Sequence, residues 1–320
     1  MRIVFMGTPA FAVPSLEALL KSDDDVVGVV TQPDRPKGRG QEVSISPIKM
    51  ICQRQNLPVL QPLKMKDPAF VDALRAWQPD LIAVAAFGRI LPPAILSMPP
   101  RGCINVHGSL LPKFRGAGPI QWAVITGEAE TGITTMLMDE GMDTGAMLLQ
   151  DKMPILPDDT AGSLSIRLAD VGGRLLVETI KQLKAGTLVP IPQDHSQATL
   201  APMLKKEDGS IDWTTSADAI ERRIRGMSPW PGAFTFAGEE RWTIWRASAK
   251  EMPQGTVPGQ VISAGKEGIA VATGQGILLI TELQPANSRR MAAAQYLAGH
   301  NISSGMRLGH IDPNASHASA

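Results

Sequence analysis

The stretch Arg2-Ile3-Val4-Phe5-Met6-Gly7-Thr8-Pro9 decides the fold class. Ile3–Met6 is a continuous apolar run, too short for a helix, and reads as a buried strand. Gly7-Thr8-Pro9 breaks the run and opens a helix marked by Phe11, Leu16, Leu19 and Leu20. Working outward, Val26–Thr31 and Leu81–Ala86 are further strands of the same kind. Strands alternating with helical patterns require right-handed crossovers and a mostly parallel, Rossmann-like α/β sheet. No Gly-x-Gly-x-x-Gly follows the first strand, and no Gly-x-x-x-x-Gly-Lys-Ser/Thr loop occurs. Neither a nicotinamide nor a nucleoside triphosphate is therefore expected as cofactor.

The pattern changes toward the carboxyl terminus. A helix is expected from Thr160 to about Lys184, behind Asp158-Asp159-Thr160, with Leu164, Leu168, Val171, Leu175, Ile180 and Leu183 along one side. Gly186 ends it, and the polar, proline-bearing run Leu188–Leu200 reads as an interdomain linker. Trp242–Ala247, Gln260–Ser263, Ile269–Ala272 and Ile277–Glu282 are short β runs between Gly-rich turns, the signature of a small β-barrel. The oligonucleotide/oligosaccharide-binding (OB) type is the first choice. A chain of 320 residues exceeds one ordinary core. We expect a catalytic domain over 1–188, a linker over 189–204, an OB-like barrel over 205–308 and a flexible tail over 309–320.

Composition narrows the function classes. Lys+Arg and Asp+Glu both total 31, so no global field draws in nucleic acid or a membrane, and any such contact must be local. Hydrophobic content of 43% with 19% charged residues is globular, and 4% aromatic content argues against an aromatic-rich binding face. Cys52 and Cys103 suggest neither a disulfide framework nor a metal pair, and a reducing compartment is expected. The amino terminus reads as a strand rather than a leader peptide, and no apolar run reaches membrane-spanning length. The expectation is a soluble, cytoplasmic, monomeric protein.

Chemistry concentrates in Gly102-Cys103-Ile104-Asn105-Val106-His107-Gly108-Ser109-Leu110-Leu111-Pro112. Side chains alternate along a strand, so Ile104 and Val106 face the core while Asn105 and His107 share the opposite face. An amide donor beside a titratable imidazole at a strand's carboxyl end is suited to acyl transfer. Met138-Asp139-Glu140-Gly141-Met142-Asp143-Thr144-Gly145 adds an acidic loop between two β runs. The residues alone leave Asp143 open between a catalytic carboxylate and a turn-former bonding its own backbone. Asp139, Glu140 and Asp143 lack the calcium-loop spacing and His107 has no partner histidine, so no metal is expected. Gln32–Gln41, with Arg35, Lys37 and Arg39, reads as a long, exposed, basic loop.

Asn105-Val106-His107-Gly108-Ser109-Leu110-Leu111-Pro112-Lys113-Phe114-Arg115-Gly116, followed by Asp139-Glu140-Gly141-Met142-Asp143-Thr144-Gly145, resembles the folate-dependent formyltransferase family. Gly7-Thr8-Pro9, the loop Thr31–Gly40, Ile211-Asp212-Trp213, Ile224-Arg225, Pro229-Trp230-Pro231 and Val271-Ala272-Thr273-Gly274 resemble its branch acting on methionyl initiator tRNA. The likeness runs from about Arg2 to Leu297. It implies 10-formyltetrahydrofolate as donor and the α-amino group of that tRNA's methionine as acceptor, without metal or nucleotide. Asn105 would stabilise the formyl oxygen, His107 would assist it and move the proton, and Asp143 would orient the imidazole. Ser109, Leu110, Leu111 and Pro112 would contact the folate. Lys205, Lys206, Arg222, Arg223 and Arg225 would join Arg35, Lys37 and Arg39 against RNA. An acceptor on an amino-sugar nucleotide is the alternative, against which the basic loop argues.

Overall fold

The apolar run at the amino terminus becomes an interior strand of a seven-stranded sheet. In this computed structural model, residues 1–37, 42–251 and 257–309 are described. The tail expected at 309–320 therefore lies, beyond Gly309, outside the described residues. The first strands are β1 (Arg2–Gly7), β2 (Asp25–Val30), β3 (Arg35–Lys37), β4 (Glu42–Ser44) and β5 (Val59–Leu60). Then follow β6 (Leu81–Ala85), β7 (Cys103–His107), β8 (Glu130–Leu137) and β9 (Met147–Pro154). The sheet order is β5-β2-β1-β6-β7-β8-β9. Pairing is parallel up to β7, and antiparallel for β7–β8 and β8–β9. Ile3, Val4, Phe5 and Met6 are wholly buried, as strands covered on both faces should be.

The helices begin where the sequence supplies caps. Ser46 Oγ accepts the Lys49 amide at 3.1 Å with Pro47 next to it, and the Asp67 carboxylate accepts that of Ala69 at 3.1 Å ahead of Pro68. The long helix Ala161–Ala185 forms as expected, but its buried line runs Leu164, Leu168, Leu176 and Ile180. Leu175 and Leu183 are only half-buried. The reason is a pair of glycines. A Cβ on Gly172 would meet Val106 Cγ1 at 2.9 Å, and one on Gly173 would meet the Pro14 carbonyl at 2.6 Å. Helix and sheet thus touch directly behind β7. Cys52 and Cys103 are buried, and burial pushes their thiols up to about 11 and about 12.

Two segments depart from expectation. The basic loop is a hairpin at its stem, β3 pairing antiparallel with β4. Its base is held by an ion pair of Asp34 with Lys49 and by Gln61 Nε2, which donates to Asp34 Oδ1 at 3.0 Å and to the Gln32 carbonyl at 2.9 Å. Arg39 lies outside the described residues. Residues 188–202 are no free linker. Ile191 pairs antiparallel with Met147, Leu200 pairs parallel with Arg115, and the whole segment belongs to the first compact unit. It is attached by backbone hydrogen bonds rather than apolar burial, which a reading of composition misses.

That unit comprises 1–120, 130–154 and 163–202; the second comprises 121–129, 155–162 and 203–320. The second unit holds β10 (Ala233–Ala237), β11 (Glu240–Lys250), β12 (Val261–Gly265), β13 (Gly268–Ala272), β14 (Ile277–Pro285) and β15 (Met291–Ala292). All pair antiparallel, in the order β10-β11-β14-β13-β12, with β15 on β14. Arg307 bridges Gln260 beside β12 and Leu308 bridges Ala237 of β10, so one short segment links both edges and closes a small barrel. Trp242, Ile244, Ile269 and Leu278 fill it, with Ile220 and Ile224 from a helix at Ala217–Gly226. Neither that helix nor β10 is among the expected elements. No helix among the described residues is long and apolar enough to cross a membrane.

Candidate active site

β7 carries Asn105 and His107 to the carboxyl end of the parallel part of the sheet, with Val84 opposite Asn105 in β6. Alternation holds: Ile104 and Val106 enter the core while Asn105 stays half-buried and His107 points away at 4% exposure. The acidic loop is closed by Asp139, whose Oδ1 accepts the Gly141 amide at 3.0 Å and the Thr144 hydroxyl at 2.7 Å. Asp143 is thereby set in a left-handed conformation, φ 53°.

The three expected residues meet at the Asp143 carboxylate. Asn105 Nδ2 lies 3.5 Å from Oδ1, and His107 Nδ1 lies 3.5 Å from Oδ2. The Gly116 amide donates to Oδ2 at 2.9 Å. His107 Nε2 sits 2.9 Å from the Phe114 carbonyl oxygen. A carbonyl only accepts, so Nε2 must hold a proton, and the nitrogen left to exchange one is Nδ1, against the carboxylate. Asp143 does more than cap its own loop.

The segment Ser109–Pro112 is bonded inward. Ser109 Oγ donates to the Lys113 carbonyl at 2.6 Å, and the Ser109 carbonyl accepts from Thr134 Oγ1 at 2.7 Å. The Leu111 amide donates to Thr134 Oγ1 at 3.1 Å, and its carbonyl accepts from Gln150 Nε2 at 2.9 Å. The Leu111–Pro112 peptide is cis. Much of the backbone expected to greet a ligand is thus occupied within the protein. Chain direction and the Leu110 and Pro112 surfaces are what the segment presents.

Three residues given no role by the sequence join the site. Arg115, 7% exposed, donates from Nε at 3.0 Å and Nη2 at 2.7 Å to Gln193 Oε1. Gln193 Nε2 donates to the carbonyls of Asp143 and Gly145, each at 2.8 Å. Thr199 Oγ1 accepts the Phe114 amide at 2.9 Å. Arg115 stands in the quoted motif, but nothing in the pattern around Gln193 or Thr199 marks them.

The basic residues divide. Arg35 and Lys37 lie in β3. Lys205 and Lys206 are exposed. Arg223 donates to the Asp208 carbonyl, and Arg225 pairs with Glu221 at 2.7 Å and donates to the Asp159 carbonyl at 3.0 Å, so both help hold the second unit together. Arg222 is half-buried and lies beside Gly127. No group of three or more His, Cys, Asp or Glu suited to a metal ion occurs among the described residues.

Residues 1–180 match the family model described as formyl transferase, and 203–301 the one described as formyl transferase, C-terminal domain. The chain is 53% identical over 302 residues to the methionyl-tRNA formyltransferase of Desulfotalea psychrophila, covering 94% of both chains. Against that of Trichlorobacter lovleyi it is 52% identical over 308 residues, covering 96% of both. The crystal structure of HypX from Aquifex aeolicus in complex with tetrahydrofolic acid superposes with a TM-score of 0.61 at 19% identity, covering 93% of this chain and 47% of that one. At such identity the last likeness bears on fold alone. Matches at half identity, sustained along nearly the full length of both partners, go further: the chain belongs to the methionyl-tRNA formyltransferase family.

Proposed function

We propose that the chain transfers the formyl group of 10-formyltetrahydrofolate to the α-amino group of methionyl initiator tRNA, yielding N-formylmethionyl-tRNA. The observation that carries this reading is the convergence of Asn105, His107 and Asp143 on one carboxylate, in a chain of this family. The neutral amine attacks the formyl carbon and the carbonyl π pair moves onto oxygen. Asn105 Nδ2 is held only loosely at 3.5 Å, so it is free to turn its N–H toward that oxygen as charge develops. Collapse restores the carbonyl and breaks the bond to N10, which takes up a proton equivalent to the one the amine gives up. His107, its ring set by the Phe114 carbonyl through Nε2 and facing the Asp143 carboxylate through Nδ1, is placed to carry it. The exposed Lys205 and Lys206, with the β3–β4 hairpin, supply the cationic contacts to the acceptor RNA. The protein acts as a monomer in the cytoplasm.

The test is incubation with 10-formyltetrahydrofolate and, separately, methionyl initiator tRNA, an amino-sugar nucleotide or glycinamide ribonucleotide. Formylation of the tRNA alone is the expected outcome. Turnover on the sugar nucleotide with none on the tRNA would overturn the reading. Sedimentation at assay concentration checks the monomer.

A further inference from the structure

We infer that residues 188–202 are a working part of the active site, and that Gln193 is the positioning residue that keeps Asp143 against His107. The inference rests on the formyl-transfer reading for its kinetics, though not for its geometry. The segment falls between the two matched family regions, which end at 180 and begin at 203.

Gln193 is 6% exposed and its amide is fully used. Nε2 places one hydrogen on each of the Asp143 and Gly145 carbonyls at 2.8 Å, while Oε1 takes two bonds from the buried Arg115 guanidinium. Arg115 Nη2 also lies 3.2 Å from His195 Nδ1 in the same segment. The donor pair thus clamps the backbone on both sides of Thr144, directly after a non-glycine residue at φ 53°. Such a conformation persists only where its surroundings over-determine it. Thr199 does the matching work on the other flank. It receives the Phe114 amide at 2.9 Å, and Phe114, itself at φ 60°, offers the carbonyl that takes His107 Nε2. The two groups that face the imidazole nitrogens, the Asp143 carboxylate and the Phe114 carbonyl, are therefore both braced by side chains from one segment.

A purely structural alternative is that Gln193 only fastens the segment. Backbone bonds already do that: Met147 and Ile191 exchange two at 2.8 Å, and Arg115 exchanges bonds of 2.8 and 2.7 Å with Thr199 and Ala201. Docking should survive loss of the Gln193 side chain, whereas alignment of Asp143 should not.

The experiment uses the full chain with Gln193→Met, Gln193→Glu and Thr199→Val. Met keeps the volume without polar atoms. Glu keeps the acceptor for Arg115 but faces two carbonyls without a donor. Both should lower kcat by about 100-fold, the scale of a misplacement near 1 Å, with both substrate KM values within about twofold. Thr199→Val, at an exposed position, should lower kcat by about tenfold, a milder misplacement. The ¹⁵N resonances of the His107 ring should move in all three, with His300 of the second unit as internal reference. Wild-type kcat and an unmoved His107 in folded Gln193 variants would overturn the inference, as would a rise in KM with kcat intact. If the Gln193 variants fail to fold, an unchanged Thr199→Val protein overturns it instead. Should the wild type fail to formylate the tRNA, the functional reading falls, and the His107 resonances still decide the positioning role.

Discussion

His107 has one nitrogen bonded to a main-chain oxygen and the other facing a carboxylate, and under the proposed chemistry that pairing sets what the loss of each neighbour should do. Asn105→Ala should lower kcat by about 100- to 1000-fold, the range for losing one oxyanion donor, with folate affinity retained. His107→Ala and Asp143→Ala should fall at least as far, and the double variant should be little worse than either single one, because the two act as a unit. Rapid-quench single turnovers on variants of native circular dichroism check this; an additive double mutant would separate the two residues. Asn105 and His107 were readable because strand alternation has a period of two and forces them onto one face. The place of Asp143 beside them was readable only by resemblance, since a turn-former and a carboxylate that faces an imidazole look alike in one sequence. Gln193 gave no signal because its meaning lies in carbonyls 50 and 48 residues away.

Among the elements, the basic hairpin shows how far pattern carries. Its prolines, glycines and cations predicted an exposed loop, but the β3–β4 pairing depends on Arg35 meeting Ser44, which side-chain types do not reveal. Arg39→Ala should raise the tRNA KM or lower kcat while leaving folate binding unchanged, and equal damage to folate affinity would move the loop to the donor pocket. The hairpin's base has a pH dependence of known sign. The Lys49 hydrogen bond, followed by that from Gln61, holds the Asp34 carboxyl below the usual range. A depressed carboxylate contributes in full above its unfolded pKa and is lost as pH falls through the folded one. The base should therefore stay anchored at neutral pH and loosen only in acid. Lys49→Met should reproduce the acid behaviour at pH 7, seen as faster amide exchange in Arg35–Lys37 and Glu42–Ser44. In the long helix, apolarity counting pointed to Leu175, while the contact line steps by four through Leu168, Gly172 and Leu176. A glycine contributes closeness, which a hydrophobic pattern cannot register.

At the scale of the molecule, the change from helical to short-strand periodicity after residue 200 revealed two bodies, but not that their sequences interleave. Gln121–Ala129 and Ile155–Gly162 belong to the second unit although both precede its main part. There Ile125 packs against Gly226, and Gly127 leaves room for Arg222. A fragment of residues 1–202 strips both segments of these partners, so it should aggregate or bind a hydrophobic dye where the full chain does not. A monodisperse fragment with native unfolding behaviour would contradict this. The barrel has a similar dependence on distant sequence, because the short segment that holds Arg307 and Leu308 bridges its two edges. The sealed thiols carry a practical consequence. Cys52 and Cys103 are the chain's only cysteines, and with thiols raised to about 11 and about 12 they offer almost no thiolate to an alkylating reagent at neutral pH. Leu200 is 71% exposed, so Leu200→Cys would give a maleimide dye one address without first deleting native cysteines. A dye there would report optically, in real time and on otherwise unaltered protein, whether the segment stays docked while the enzyme turns over.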